Sequence, residues 1–246
     1  MANQNTDRFS TEEYNCHEDF SYCNGQYDFD YFSNHESSKR VLRFNGMEFS
    51  VVTCKQDENG KGIPPIIRKP VEIWSWDMNM GKTYQQRRFI LQNRNLRHIY
   101  IVPTIALAKE ASNRLGIPCY TDLECDSEWR EGSLVVAMAS YHKVRGNIDC
   151  LYIDEIESCL GQLTSKKIFT KSTTDCTHRT LIEDIRTCEK VVLMDAHVGS
   201  PSFHLISEAD RVPDCQILEC SGPPVTWVDV GSHKDHIHLL MQKVKN

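Results

Sequence analysis

The stretch Glu72-Ile73-Trp74-Ser75-Trp76-Asp77-Met78-Asn79-Met80-Gly81-Lys82-Thr83 decides how the rest of the chain is read. A β-type run, Val71–Trp74, leads into a loop that ends in Gly-Lys-Thr, and a helical stretch follows at 82–92. A strand, loop and helix in that order build a phosphate cradle. Backbone N–H groups at the helix N-terminus point at the anion, and the helix dipole favours its charge. On this reading Lys82 reaches the β- and γ-phosphates of ATP and the Thr83 hydroxyl binds Mg²⁺, while Met78, Asn79, Met80 and Gly81 wrap the phosphates. The full pattern has Gly five residues before Gly81, where this chain has Trp76, and commonly another at Asn79. Asn tolerates positive φ better than other non-Gly residues, so the turn survives. Gly-Lys-Thr alone also arises by chance at a helix start, so context has to carry the assignment.

Working outward, short apolar runs alternate with helical stretches between about 70 and 220. The strands expected are Val71–Trp74, His98–Val102, Leu134–Ala137, Cys150–Ile153, Val191–Met194 and Gln216–Leu218. Helices are expected at 82–92, 104–115, 155–163, 179–188 and 200–208. In the second helix Leu107, Ala108, Ala111 and Leu115 share one face. Such alternation predicts an α/β fold with a mainly parallel sheet covered on both sides.

The second chemical signal is Leu151-Tyr152-Ile153-Asp154-Glu155-Ile156-Glu157, an apolar strand ending in Asp-Glu. A carboxylate at the C-terminal end of a parallel strand faces the ligand crevice of an open α/β sheet. Asp154 suits Mg²⁺ as a hard oxygen ligand, and Glu155 suits the orientation or deprotonation of an attacking water. Glu157 reads as a first-turn charge favourable to the helix dipole. The plainer alternative makes Asp154-Glu155 an acidic N-cap pair.

Composition bounds the remainder. The 246 residues are 40% hydrophobic and 25% charged, ordinary for a globular protein. A net charge of −6 supplies no global basic field for nucleic acid, so any DNA-binding face is local. The 11 cysteines include no C-x-x-C pair, which argues for reduced thiols rather than a disulfide scaffold. Cys16-His17 with Cys23, Cys176 with His178, and His233, His236 and His238 do not assemble four metal ligands with motif spacing. The polar start of the chain is no signal peptide and no apolar run spans a membrane, so an intracellular location is expected. Four segments result. Residues 1–40 read as a flexible or partner-dependent arm, 41–64 as a hairpin turning at Asn45-Gly46 followed by a linker, 65–225 as the main domain, and 226–246 as a tail or connector.

Further segments carry a family resemblance. Val102-Pro103-Thr104 resembles motif Ia of superfamily two helicases, and Ala139-Ser140 resembles the element before the acidic motif. Asp154-Glu155-Ile156-Glu157-Ser158, with Gln162-Leu163 and Ser165, resembles an extended acidic motif of one subgroup. Met194-Asp195-Ala196 resembles that subgroup's motif III. Together they are similar to the replication origin-binding protein family, herpesvirus-type DNA helicases. The resemblance covers roughly residues 70–200. It implies a RecA-like P-loop domain that binds and hydrolyses ATP with Mg²⁺ and acts on DNA, single-stranded or at an origin. Lys82, Asp154 and Glu155 take the catalytic roles, Thr83 and Asp154 the metal, Thr104 and Ser140 the DNA backbone, and Asp195 with Ala196 the coupling of hydrolysis to movement. The compartment implied is a nucleus or a cytoplasmic replication site of a virus or mobile element.

The family also uses a second RecA-like domain, which supplies arginine fingers worth 10³–10⁵ in rate where tested. No second arginine motif follows Ala196. The expectation is therefore a truncated product or half of a split enzyme, weak alone, with a separate chain supplying the other half. A non-enzymatic DNA- or protein-binding module of the same descent is the alternative. Trp74 and Trp76 read as core packing or as stacking on adenine. Arg87, Arg88, Arg94 and Arg97 read as phosphate contacts or as a solvated face.

Overall fold

The computed structural model describes residues 39–65, 68–123, 128–165 and 171–222. The arm before residue 39, the tail after 222, and the Cys16, Cys23 and His233–His238 positions lie outside the described residues. Among the described residues ten strands occur in chain order: β1 Lys39–Phe44, β2 Met47–Thr53, β3 Lys55–Gln56, β4 Gly62–Ile63, β5 Val71–Trp76, β6 His98–Val102, β7 Leu134–Ala137, β8 Cys150–Asp154, β9 Lys190–Asp195 and β10 Cys215–Cys220. The helices are α1 Lys82–Gln92, α2 Ile105–Leu115, α3 Ile156–Leu163, α4 Lys171–Thr187 and α5 Ser200–Glu208. No helix among the described residues is long and apolar enough to cross a membrane.

Eight strands form one sheet in the order β1-β2-β10-β5-β9-β8-β6-β7, parallel throughout except for the β1–β2 hairpin. That hairpin turns at Asn45 and Gly46, both at positive φ (47° and 80°), the conformation an Asn-Gly turn selects. Side chains alternate across each strand and separate two cores. Ile73, Ile101, Ile153 and Leu193 pack on the face bearing α3, α4 and α5. Trp74, Tyr100, Tyr152 and Met194 pack on the opposite face, under Ile90 of α1 and Ala108, Ala111 and Leu115 of α2. The fold is thus the expected three-layer α/β arrangement.

Two segments depart from the sequence reading. The stretch read as a linker contains an antiparallel pair, Lys55–Gln56 with Gly62–Ile63, folded onto the loop after β5. The Gly62 N–H donates to the Met80 carbonyl (2.9 Å), and Gln85 Nε2 donates to the Gly62 carbonyl (3.0 Å). Its Gly, Asn and Lys content carries no strand signal; the tertiary bonds create it. Likewise α4 begins at Lys171, not 179, because its first two turns are polar. Buried Thr177, Leu181 and Ile185 recur every four residues and set its inner face.

Candidate active site

The loop between β5 and α1 turns at two residues of positive φ. Asn79 (φ 65°) and Gly81 (φ 85°) are both left-handed, so Asn79 serves where Gly is common. Lys61 of the β3–β4 pair ties this residue down: its ammonium donates to the Asn79 carbonyl (2.7 Å) and to Asn79 Oδ1 (3.1 Å). Trp76, at the other departure, does not intrude. Its ring is fully buried and stacked on Trp74, with centroids 4.4 Å apart and 17° between planes. Of the two readings of these tryptophans, core packing is the one found. Lys82 opens α1 and its ammonium donates to the Trp76 carbonyl (2.7 Å).

The sheet order brings the acidic strand end to this loop. β9 lies between β5 and β8, pairing Ser75 with Asp195 and Met194 with Asp154, so the ends of the three strands lie side by side. Burial pushes the Lys82 ammonium below its usual range, and the carboxylates of Asp154, Asp195, Asp77 and Glu155 pull against that shift. Asp154 and Glu155 are both raised, first by burial. For Glu155 the neighbouring Asp154 and Asp195 charges add to the rise.

Asp154-Glu155 is not a cap pair. Glu155 occupies the N-cap position of α3 in a left-handed conformation (φ 50°), and its side chain makes no cap hydrogen bond. Strain of that kind concentrates where a side chain is aimed for function. The α3 N-terminus is instead held from β9, where Asp195 Oδ2 accepts the Glu157 N–H (3.1 Å). Glu157 in turn accepts from the Gly199 N–H (2.7 Å) and the Ser202 hydroxyl (2.6 Å), capping α5 rather than its own helix. A Cβ on Gly199 would lie 3.3 Å from the Glu157 carboxylate, so this close approach favours Gly.

One residue between the loop and the acidic strand escaped the sequence reading. Tyr100, buried at the centre of β6, donates its hydroxyl to Asp154 Oδ2 (2.9 Å). In sequence it is indistinguishable from a core aromatic.

Two adjoining cavities share Thr83 and Arg114. One of about 540 Å³ is lined by Lys61, Lys82, Arg87 and Arg114 and carries no carboxylate; the other, about 270 Å³, is lined by Asp154, Glu155 and Pro103. Met78 lines the second and is largely exposed. The donors Thr83 and Asp154 are hard oxygens. No cluster of three or more His, Cys, Asp or Glu side chains able to hold a metal occurs among the described residues. That pairing fits Mg²⁺ bound through one carboxylate and a substrate's phosphates rather than in an all-protein cage.

The remaining candidates divide. Thr104 is the N-cap of α2, its hydroxyl accepting the Leu107 N–H (3.3 Å), and Ser140 lies in the 3-10 helix Met138–Lys143. The paired strands β6 and β7 carry them to the same sheet edge. Arg97 belongs to neither reading of the basic stretch: its guanidinium donates to the carbonyls of Trp129, Gly132, Arg145 and Asn147. Arg87 and Arg88 are exposed on α1. Cys176 is exposed, and His178 pairs with Glu208 (3.3 Å).

Residues 123–217 match the family described as "Origin of replication binding protein". They hold the Asp154-Glu155 and Asp195-Ala196 segments, and the loop at 76–83 lies outside them. The chain is also 29% identical over 136 residues to the replication origin-binding protein of human herpesvirus 6A (strain Uganda-1102). That alignment covers 53% of this chain and 17% of the relative. Among solved structures, the UvsW helicase of bacteriophage T4 aligns with 62% of this chain and 54% of its own (14% identity, TM-score 0.37). The DUF1998 helicase MrfA bound to DNA aligns with 65% and 28% (14% identity, TM-score 0.35). The family resemblance carried by the acidic strand end and Met-Asp-Ala is thus borne out.

Proposed function

We propose that this domain binds and hydrolyses ATP with Mg²⁺ as the first RecA-like domain of a DNA helicase related to the origin-binding proteins. The observation that carries the proposal is the convergence of Lys82, Asp154, Glu155 and Asp195 at one edge of the sheet. Met78, Asn79, Met80 and Gly81 would cradle the phosphates with their backbone, and Lys82 would pair with the β- and γ-oxygens. Thr83 and Asp154 would hold Mg²⁺, which when bound neutralises charge on those phosphates. Glu155, its carboxyl raised by burial and by its acidic neighbours, would orient the attacking water and accept its proton. Asp195 and Ala196 would transmit hydrolysis to domain movement, and Thr104 and Ser140 would meet the DNA backbone without reading sequence. A second RecA-like domain is the partner this reading calls for, since its arginine raises turnover. The viral or mobile-element replication setting belongs to the same proposal. Nucleotide-dependent thermal protection tests binding: Mg-ATP should raise the Tm of the parent and not of Lys82→Ala. Identical behaviour of the two would contradict it.

One observation favours a second reading, a DNA- or protein-binding module without turnover: the Lys82 ammonium is already engaged by the Trp76 carbonyl. That reading predicts DNA binding unaffected by Glu155→Gln and no hydrolysis in either protein.

A further inference from the structure

The proposed function assigns Mg²⁺ to Thr83 and Asp154, and the Tyr100 hydroxyl stands directly behind the second of these. It donates to Asp154 Oδ2 (2.9 Å), while the Glu155 N–H donates to the other oxygen, Oδ1 (3.2 Å). Each oxygen of the carboxylate therefore has one fixed protein donor, and its remaining lone pairs are left to face the crevice. The Tyr100 hydroxyl thereby fixes the orientation of the carboxylate that lines the smaller cavity together with Thr83. The phenol ring itself is locked by burial and by stacking on Tyr152, with centroids 5.8 Å apart.

We infer that Tyr100 is a positioning residue that pre-organises Asp154 to receive a divalent cation with a nucleotide. The inference rests on the proposed function. Partners of this kind behind a metal ligand typically change metal affinity by roughly 10–100-fold.

The test is Tyr100→Phe, which keeps the buried ring and removes only the hydroxyl. Mn²⁺ binding is read by electron paramagnetic resonance in the presence of a non-hydrolysable ATP analogue. Tyr152→Phe serves as the comparison, because the Tyr152 hydroxyl meets His98 (3.2 Å) and not the crevice. The expected result is Mn²⁺ binding at least fivefold weaker in Tyr100→Phe, with Tyr152→Phe unchanged. An effect below fivefold in Tyr100→Phe, or equal losses in both variants, overturns the inference while leaving ATP binding intact. A parent that binds no Mn²⁺-nucleotide overturns the proposed function, and this inference with it. Should Tyr100→Phe fail to fold, 3-fluorotyrosine incorporated into the parent keeps the question open to measurement. The Tyr100 fluorine resonance should then shift on adding Mg²⁺ with the analogue, and an unmoved resonance overturns the inference.

Discussion

Asp195, the last residue of β9, accepts the backbone N–H of Glu157 in the first turn of α3 at 3.1 Å. Glu157 then accepts two donors from the start of α5, so one chain of hydrogen bonds joins the ends of β9, α3 and α5. A movement of Asp195 would be felt at both helix starts. Removing the first link with Asp195→Ala should lower stability by about 0.5–2 kcal/mol, the usual effect of losing an N-cap. Glu157→Ala should have the larger effect, because the buried Ser202 hydroxyl loses its acceptor, a loss of roughly 1–3 kcal/mol. Urea unfolding of the two variants checks the order.

Trp76→Gly restores the residue a phosphate loop would carry there, yet it should not improve nucleotide binding. The Trp76 ring belongs to the core under α1 and α2, and removing such a ring typically costs about 3–5 kcal/mol. Denaturant midpoints and ATP affinity measured on the same preparation separate the effects. Tighter ATP binding with unchanged stability would show that Trp76 acts in the loop.

The basic stretch around α1 should split in the same way. Arg97→Ala strips four backbone carbonyls of a charged donor, and each such bond is worth roughly 1.5–3 kcal/mol. Its effect should be on stability, with DNA affinity unchanged once the protein is folded. Arg87→Ala, which alters an exposed lining of the cationic cavity, should weaken nucleotide binding and leave the melting temperature in place.

At the opposite end of β5, Glu72 is fully buried and paired with Arg68 and with Lys190 (2.7 Å). Burial raises its carboxyl, but the Arg68 and Lys190 charges outweigh this, and the net shift is downward from 4.5. A depressed carboxyl adds stability that is complete above the unfolded value and is lost as pH falls through the folded one. The parent should therefore lose stability in acid below about pH 4.5, and Glu72→Gln should lack this component. Glu72→Gln should also be less stable at neutral pH, by roughly 3–5 kcal/mol, since Arg68 and Lys190 are left unpaired. Thermal melts from pH 3 to 7 check both statements.

Much of this architecture was legible in the residues. His98–Val102 and Leu134–Ala137 fall where apolar runs predict them, and α1 and α5 keep their expected bounds, because period and turn residues agree there. Asn79 was legible too, since its tolerance of positive φ is intrinsic. What stayed hidden depends on contacts distant in sequence. Lys61 acquires its role only once the β3–β4 pair folds onto the loop. The capping of α3 by Asp195 spans 38 residues, so the Asp-Glu pair looked like a local cap when the cap comes from β9. Tyr100 reads as one more strand aromatic until the neighbouring strand β8 places Asp154 on its hydroxyl.

The most direct test is Mg-ATP turnover with and without single-stranded DNA, measured on the parent beside Lys82→Ala and Glu155→Gln. The account predicts slow turnover in the parent and its loss in both variants, with ATP binding kept by Glu155→Gln and lost by Lys82→Ala. Turnover that survives both substitutions, or a parent that neither binds nor hydrolyses ATP, would contradict it.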